Sequence, residues 1–425
     1  MDYSRRLVDR QLDELLPLLP AVSIEGAKGV GKTVTATARA SQVFSLDTPS
    51  TRAIVQDNPE LVVSRVSDKA TIFIDEWQRV PSTWDLVRRA VDQGAQPGQF
   101  ILAGSAAPNP KAKPHSGAGR IVRLVMRPMS LPERDVETPS VSLRALLEGT
   151  VPEVGGSTSL TVTNYAEEVL SSGFPGIRSA LPAARPHILD SYVQHIVDHD
   201  IPESGQEVRR PASLLHWLTA YGAATASTAS YSSLLTAATP GEDLKPSKVT
   251  AITYRDLLQR IWVLEPLPAW SPVLASLKYL GQAPKHHLVD PALAARLVGA
   301  TQDSLVSGNG PKDHGEGVFL GALFESLAVQ TIRCLAQANG AKVFHLRTQG
   351  GVHEIDAIVQ RPDLRIVAFE IKLSSIVRPA DVAHLNWLQT QVPDLVLDKV
   401  LLNTGSEAYR RQDGVAVVPL ALLGQ

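Results

Sequence analysis

Eight residues near the N-terminus, Gly26-Ala27-Lys28-Gly29-Val30-Gly31-Lys32-Thr33, constrain the fold of this 425-residue chain more than any other stretch. They follow a short apolar run, Ala21 to Ile24, and lead into an Ala- and Thr-rich segment that reads as a helix continuing to Ala40 or beyond. Glycines at this spacing let the backbone wrap an anion. The N–H groups at the start of the helix supply positive field, and the lysine reaches the outer phosphates. Strand, loop and helix together predict a phosphate-binding loop for ATP or GTP formed by Gly26, Ala27, Lys28, Gly29, Val30, Gly31, Lys32 and Thr33, with the Thr33 hydroxyl placed for Mg2+.

Binding becomes turnover only with a metal-orienting carboxylate and a base for water. The run Ile72-Phe73-Ile74-Asp75-Glu76 offers both, because an apolar strand ending in two acids presents them at its carboxyl edge, beside the loop of a neighbouring strand. Asp75, 43 positions after Lys32, is expected to orient Mg2+, and Glu76 to polarise the attacking water. Lys32 is counted with the catalytic groups. A third apolar run, Gln99 to Ala103, ends in Gly104-Ser105, whose hydroxyl is placed to sense the γ-phosphate. Together with Val43 to Leu46 and a helical pattern over Trp84 to Val91, these runs predict an α/β fold, a parallel sheet with helices on both faces. Arg79, Arg120 and Arg123 are candidates for an arginine acting in trans.

The C-terminal quarter carries a second constellation. Strand patterns over 342–347, 353–359 and 365–372 follow a long amphipathic helix from about Val318 to Asn339 and precede a helix from Pro379 to about Gln391 and a strand near 397–402. Asp356 lies in the second strand. Glu370 and Lys372 close the third on one face. Two carboxylates on adjacent strands can share Mg2+ while a lysine positions water at a phosphodiester, so Asp356 and Glu370 are the expected metal ligands and Lys372 the third catalytic group. Glu325 on the preceding helix and Glu354 are further acids for the same centre.

Composition sets limits on partners. A net charge of −2, with 44% hydrophobic and 20% charged residues, fits a folded chain of several domains and predicts no global attraction to nucleic acid. Contact with nucleic acid, DNA ahead of RNA, then needs a local basic surface; a protein partner and self-association are equally compatible with this balance. The single cysteine, Cys334, excludes an intrachain disulfide. No signal-peptide order and no run of 18 or more apolar residues is evident, which predicts a cytoplasmic chain without a membrane anchor. His195 and His199 are spaced for a metal but lack a third ligand, and the adjacent His286-His287 and the lone His353 suggest no site. Trp217, Tyr221, Trp262 and Trp270 fall on helix or hairpin patterns and are assigned to the core, with a short hairpin expected around Ile261 to Trp270.

The runs IDEWQRVPSTWDLVRRAVD, FILAGSA and GAGRIVRLVMRPMSLPE resemble prokaryotic AAA-type ATPases of the archaeal-ATPase-like group that carry a C-terminal domain of uncharacterised function. Gly173-Phe174-Pro175-Gly176, the helix ending in Asp200, Pro284-Lys285 to Val289-Asp290, and Phe324-Glu325 extend the resemblance over essentially the whole chain. Departures are Ala103 and Ala106 in the sensor segment, where the Ser105 position is kept, and Trp77 for the usual aliphatic residue. The resemblance implies an AAA-type P-loop NTPase core with a helical lid (1–200), a winged-helix-like middle region (201–300), a linker (301–316) and a restriction-endonuclease-like α/β domain (317–425). It also implies ATP with Mg2+ as cofactors and an ATPase coupled to a nuclease-like domain that binds or cleaves nucleic acid. The alternative is a slowly or non-hydrolysing switch that acts through protein partners.

Overall fold

A computed structural model describes residues 3–64, 70–105, 117–203, 210–238, 248–271, 281, 283–306 and 318–425. Residues 106–116, Ala106 among them, lie outside the described residues. So does the expected linker after residue 306, which begins with a short helix, Gln302–Val306.

Strands β1 (Ala21–Glu25), β2 (Gln42–Ser45), β3 (Ile72–Asp75), β4 (Phe100–Gly104) and β5 (Val122–Val125) form a fully parallel sheet in the order β2-β3-β4-β1-β5. Alternation decides which side each residue covers. Val22, Ile24, Phe73, Ile101 and Ala103 enter one apolar cluster, while Ala21, Ile72, Ile74, Phe100 and Leu102 enter another, with Val55, Trp84 and Val87 of the covering helices. The first cluster does not stop at this sheet. It continues through Trp217, Leu293, Leu323 and Phe369 to Leu423, so one face of the N-terminal sheet is buried against the rest of the chain. The helix after the phosphate loop is shorter than its pattern suggests. It spans Lys32–Thr37, because the chain must turn to start β2 at Gln42.

Beyond the first sheet the chain forms the helices Val162–Leu170, Pro175–Arg178 and Arg185–His195, with prolines at the start of the second and third. A π-helical segment, Ile196–Asp200, carries the last into Ile201–Glu203. Three further helices, Pro211–Ala223, Tyr231–Ala237 and Lys248–Arg260, precede an extended strap. The hairpin expected within Ile261 to Trp270 is not formed there. Instead Leu264 and Leu267 bridge antiparallel to Leu288 and Lys285, and Ala269 bridges to His345 at the edge of the C-terminal sheet. The partner segment is residues 285–288 rather than a neighbour within Ile261 to Trp270. Trp217, Tyr221 and Trp270 are buried, as their patterns suggest.

Strands β6 (Val141–Ser142), β7 (Lys342–Arg347), β8 (Glu354–Gln360), β9 (Ile366–Ile371), β10 (Val396–Asn403), β11 (Tyr409–Arg410), β12 (Ala416–Pro419) and β13 (Leu423–Gly424) complete the described strands. Six form a mixed sheet in the order β11-β12-β10-β9-β8-β7, covered by the helix Ala383–Gln391, while β13 pairs with β6 and ties the C-terminal end to the segment after the first sheet. The helix Val318–Ala338 has the length and apolar character of a membrane span, yet 72% of its apolar window is buried inside the protein. It packs on the N-terminal helix Leu7–Leu15 and on β7 and β8. It is a core helix joining the two sheets.

Candidate active site

The phosphate loop is built as its glycines require. Gly26, Gly29 and Gly31 adopt φ of 153°, 81° and 108°, and a Cβ at Gly26 would stand 2.1 Å from the Met126 carbonyl oxygen just after β5. We expect Gly26→Ala to lower the thermal midpoint and weaken nucleotide binding, with a strain of about 1–3 kcal/mol at this one position. A thermal melt and a nucleotide titration check it. From below, the buried Arg6 donates to the Val30 carbonyl at 2.9 Å and to the Arg127 carbonyl at 2.8 Å, and it pairs with buried Glu133 at 3.0 Å.

At the mouth of the loop, Lys32 Nζ donates to the carbonyls of Gly26 and Ala27, each at 2.8 Å. Burial pushes its ammonium down to about 8, against the pull of Glu76 and Asp75. Thr33 Oγ1 donates to Asp75 Oδ2 at 2.9 Å. Burial raises the Asp75 carboxyl to about 6, opposed by the Thr33 hydroxyl, and Asp75 Oδ1 is buried with no hydrogen-bond partner. Glu76 accepts from Ser105 Oγ at 3.2 Å and from Gln78 Nε2, and its backbone sits in the left-handed region at φ 53°. A non-glycine residue there stores strain that the surrounding contacts must hold. Lys32, Thr33, Asp75, Glu76 and Ser105 are therefore gathered at the carboxyl edge of β1, β3 and β4.

Lys28 is engaged by acids of a later segment. It forms ion pairs with Asp200 at 2.6 Å and Glu203 at 3.0 Å, its carbonyl accepts from the Tyr192 hydroxyl at 3.1 Å, and Glu203 also pairs with Arg79 at 3.2 Å. Arg120 pairs with Asp92 and Arg123 with Glu25, so all three arginines considered for action in trans lie in intrachain ion pairs. Behind the loop, a Cβ on Gly29 would stand 3.8 Å from Phe174, and Gly173 N donates to Asp290 Oδ2 at 2.7 Å. His195 bonds the Ser191 carbonyl, and among the described residues no group of three or more His, Cys, Asp or Glu side chains is arranged for a metal.

The C-terminal acids also converge, but around a residue that the sequence patterns did not single out. Lys285, 1% exposed, ion-pairs with Asp356 at 2.8 Å, Glu325 at 2.9 Å and Glu354 at 3.0 Å. Asp356 Oδ2 is taken by the Ile371 amide at 2.9 Å, and Lys372 pairs with Glu370 at 2.6 Å, leaving Glu370 Oε2 buried without a partner. Burial raises Glu325 to about 8, against Lys285, and raises Glu370 to about 8, with the Asp356 charge adding to it. Asp356 is held below the usual range, because Lys285 and Lys372 outweigh its burial.

The two centres differ in their fit to a divalent cation. At the phosphate loop, Thr33 and Asp75 touch and Asp75 keeps a free buried oxygen, a donor set suited to Mg2+. At the C-terminal centre both Asp356 oxygens are engaged and an ammonium stands among three of the acids. Those residues do not fit a bound metal as arranged, contrary to the expectation for Asp356 and Glu370.

Residues 19–134 match the family model of an AAA domain, residues 162–304 a domain of unknown function (DUF8612), and residues 320–423 another domain of unknown function (DUF4143). The strand order, the phosphate loop and the first match agree that the N-terminal part is an AAA-type P-loop core. Two uncharacterized mycobacterial proteins, from Mycobacterium bovis and Mycobacterium tuberculosis, are each 26% identical over 425 residues, covering 99% of this chain and 84% of the relative. Among solved structures, the Walker-type ATPase of Pyrococcus abyssi is 16% identical with a TM-score of 0.39, over 68% of this chain and 94% of that one. A Thermotoga maritima RuvB variant is 16% identical with a TM-score of 0.27, over 61% and 89%.

Proposed function

We propose that this chain binds ATP with Mg2+ at the phosphate loop and hydrolyses it, and that the nucleotide state acts on the C-terminal domain. The observation that carries the reading is the contact between Thr33 and Asp75 with Asp75 Oδ1 buried and unpartnered, at the edge where Glu76 and Ser105 also meet. Backbone amides of Gly29 to Thr33 hold the β-phosphate. Lys32, released from the two loop carbonyls, turns to the β- and γ-phosphates. Thr33 and Asp75 would hold Mg2+, and the ion would supply positive charge to the phosphoryl oxygens. Glu76, fixed by Ser105 and Gln78, accepts a hydrogen bond from water and aims it at the γ-phosphorus.

The C-terminal domain is taken as a binding module rather than a metal-dependent nuclease, because Lys285 fills the acidic centre. A winged-helix-like role for the middle region is compatible with its three helices and the antiparallel bridges that follow. The test is phosphate release by the full chain alone and with duplex DNA, single-stranded DNA or RNA. A rate raised several-fold by DNA supports action on nucleic acid. A measurable rate indifferent to all three points to protein partners, and no turnover above that of a Lys32→Ala variant removes the hydrolase reading.

A further inference from the structure

Lys28 carries a second positive charge on the phosphate loop, and one later stretch of chain holds both its backbone and its side chain. Its carbonyl accepts from the Tyr192 hydroxyl of the helix Arg185–His195 at 3.1 Å, and its Nζ pairs with Asp200 at 2.6 Å and Glu203 at 3.0 Å. Asp200 closes the segment Ile196–Asp200, where the chain leaves α-helical pairing for a π turn, a rare geometry found mostly at functional positions.

The order of the sheet tells where Glu203 stands. It reaches Arg79 at 3.2 Å as well as Lys28 at 3.0 Å. Lys28 follows β1 and Arg79 follows β3, while β4 runs between those two strands. Neighbouring strands lie about 4.8 Å apart, so one carboxylate that touches both cations spans the end of β4. That is the edge where Ser105 meets Glu76 and where the terminal phosphate of a bound triphosphate would lie. Burial, joined by the Lys28 charge, lowers the Lys32 ammonium, so the two lysines share one electrostatic neighbourhood.

The hold on Lys28 is of a kind that a ligand can displace. The Lys28 and Glu203 side chains are 39% and 50% exposed, and ion pairs as exposed as this add little stability. A terminal phosphate offers the same ammonium more negative charge and more acceptor oxygens.

We propose, on the footing that the phosphate loop binds nucleotide, that Lys28 reads the terminal phosphate of a nucleoside triphosphate and that Glu203, with Asp200, is the built-in competitor for it. Without a triphosphate the two carboxylates hold the ammonium. A triphosphate takes it from them, and a diphosphate, which ends one phosphate short, does not. The segment Ile196–Glu203 is then released from the loop by the third phosphate alone, which makes its position a report of whether the nucleotide is intact.

The experiment titrates the full chain with ADP and with a non-hydrolysable ATP analogue, read by calorimetry. Glu203→Gln should tighten the analogue about fivefold and leave ADP within about twofold of the wild type. Lys28→Met should weaken the analogue and spare ADP, and in the Lys28→Met background Glu203→Gln should bring no gain. Equal shifts for the two nucleotides, no shift for either, or a gain from Glu203→Gln that survives Lys28→Met overturns the proposal while leaving the phosphate loop a nucleotide site. A wild-type chain that binds neither nucleotide overturns the phosphate-loop reading and this one together. Should Glu203→Gln fail to fold, Asp200→Asn repeats the comparison with the same expected direction and the same contrary results.

Discussion

Replacing Glu76 by Gln should lower the rate of phosphate release by about 10²–10⁴-fold while leaving the affinity for ATP within about threefold of the wild type. The carboxylate accepts from Ser105 Oγ and Gln78 Nε2, and the amide keeps its size and an acceptor oxygen. Ground-state contacts to the phosphates run through Lys32 and the loop amides, so binding survives the change. Radiolabelled or fluorescent ATP binding beside a phosphate-release assay separates the two quantities. Equal and negligible rates in both proteins would instead identify the slow switch, in which Glu76 holds Ser105 and Gln78 for structural reasons alone.

The second large effect is expected beneath the phosphate loop. Glu133→Gln leaves Arg6 as a buried charge without its counter-ion, a change that costs about 3–5 kcal/mol when one partner of a buried pair is removed. Glu133 also accepts from the Leu7 amide, the Ser130 amide and the Ser130 hydroxyl, at 2.7, 2.7 and 2.6 Å, so one carboxylate fastens the N-terminal helix to the segment after β5. Burial alone would raise its carboxyl, but Arg6 and these donors hold it below the ordinary value of 4.5. The sign follows: the stabilisation is present above 4.5 and is lost as pH falls through the lower folded value. Urea unfolding should show a lower midpoint for the variant at neutral pH and a narrowing difference in acid. Because Arg6 also holds the Val30 carbonyl, nucleotide affinity should fall with stability.

The residues of the first site were legible because the chemistry is local in the chain. The phosphate loop is contiguous, and Asp75-Glu76 and Gly104-Ser105 each close an apolar strand whose parallel neighbour brings them to the same edge. The central strands were equally plain, since β1, β3 and β4 are buried on both faces and read as apolar runs. The edge strand β5 was not: Val122 and Arg123 are exposed, and the charged Arg123 interrupts a four-residue apolar strand. The short β6 and β13 carry no signal of their own, because a two-residue pairing is decided by where the rest of the fold places the chain ends.

The C-terminal centre shows the opposite limit. Asp356, Glu370 and Lys372 were found from strand alternation, and the antiparallel register of β8 on β9, Ala357 to Phe369, brings Asp356 opposite Glu370 when extended by one residue. Lys285 was quoted only as part of a resembling segment. Its partners lie 40 and 71 positions away, a separation that no local pattern reports. Arg6 was hidden in the same way, its partner Glu133 being 127 positions distant. The single clue available was a charged residue flanked by core positions on an extended strap.

That strap is seated at both ends. Lys285 lies among the acids of the C-terminal sheet, and Asp290 holds Gly173, next to the Phe174 ring that backs the phosphate loop. Six residues thus span the distance between a nucleotide cradle and a domain whose ligand is unknown. Linkage makes the traffic along such a connection reciprocal: whatever factor bound nucleotide applies to the affinity of the C-terminal domain for its partner, the partner must apply to the affinity for nucleotide. An occupant of the distal domain whose affinity responds to nucleotide is therefore also an effector of the phosphate loop.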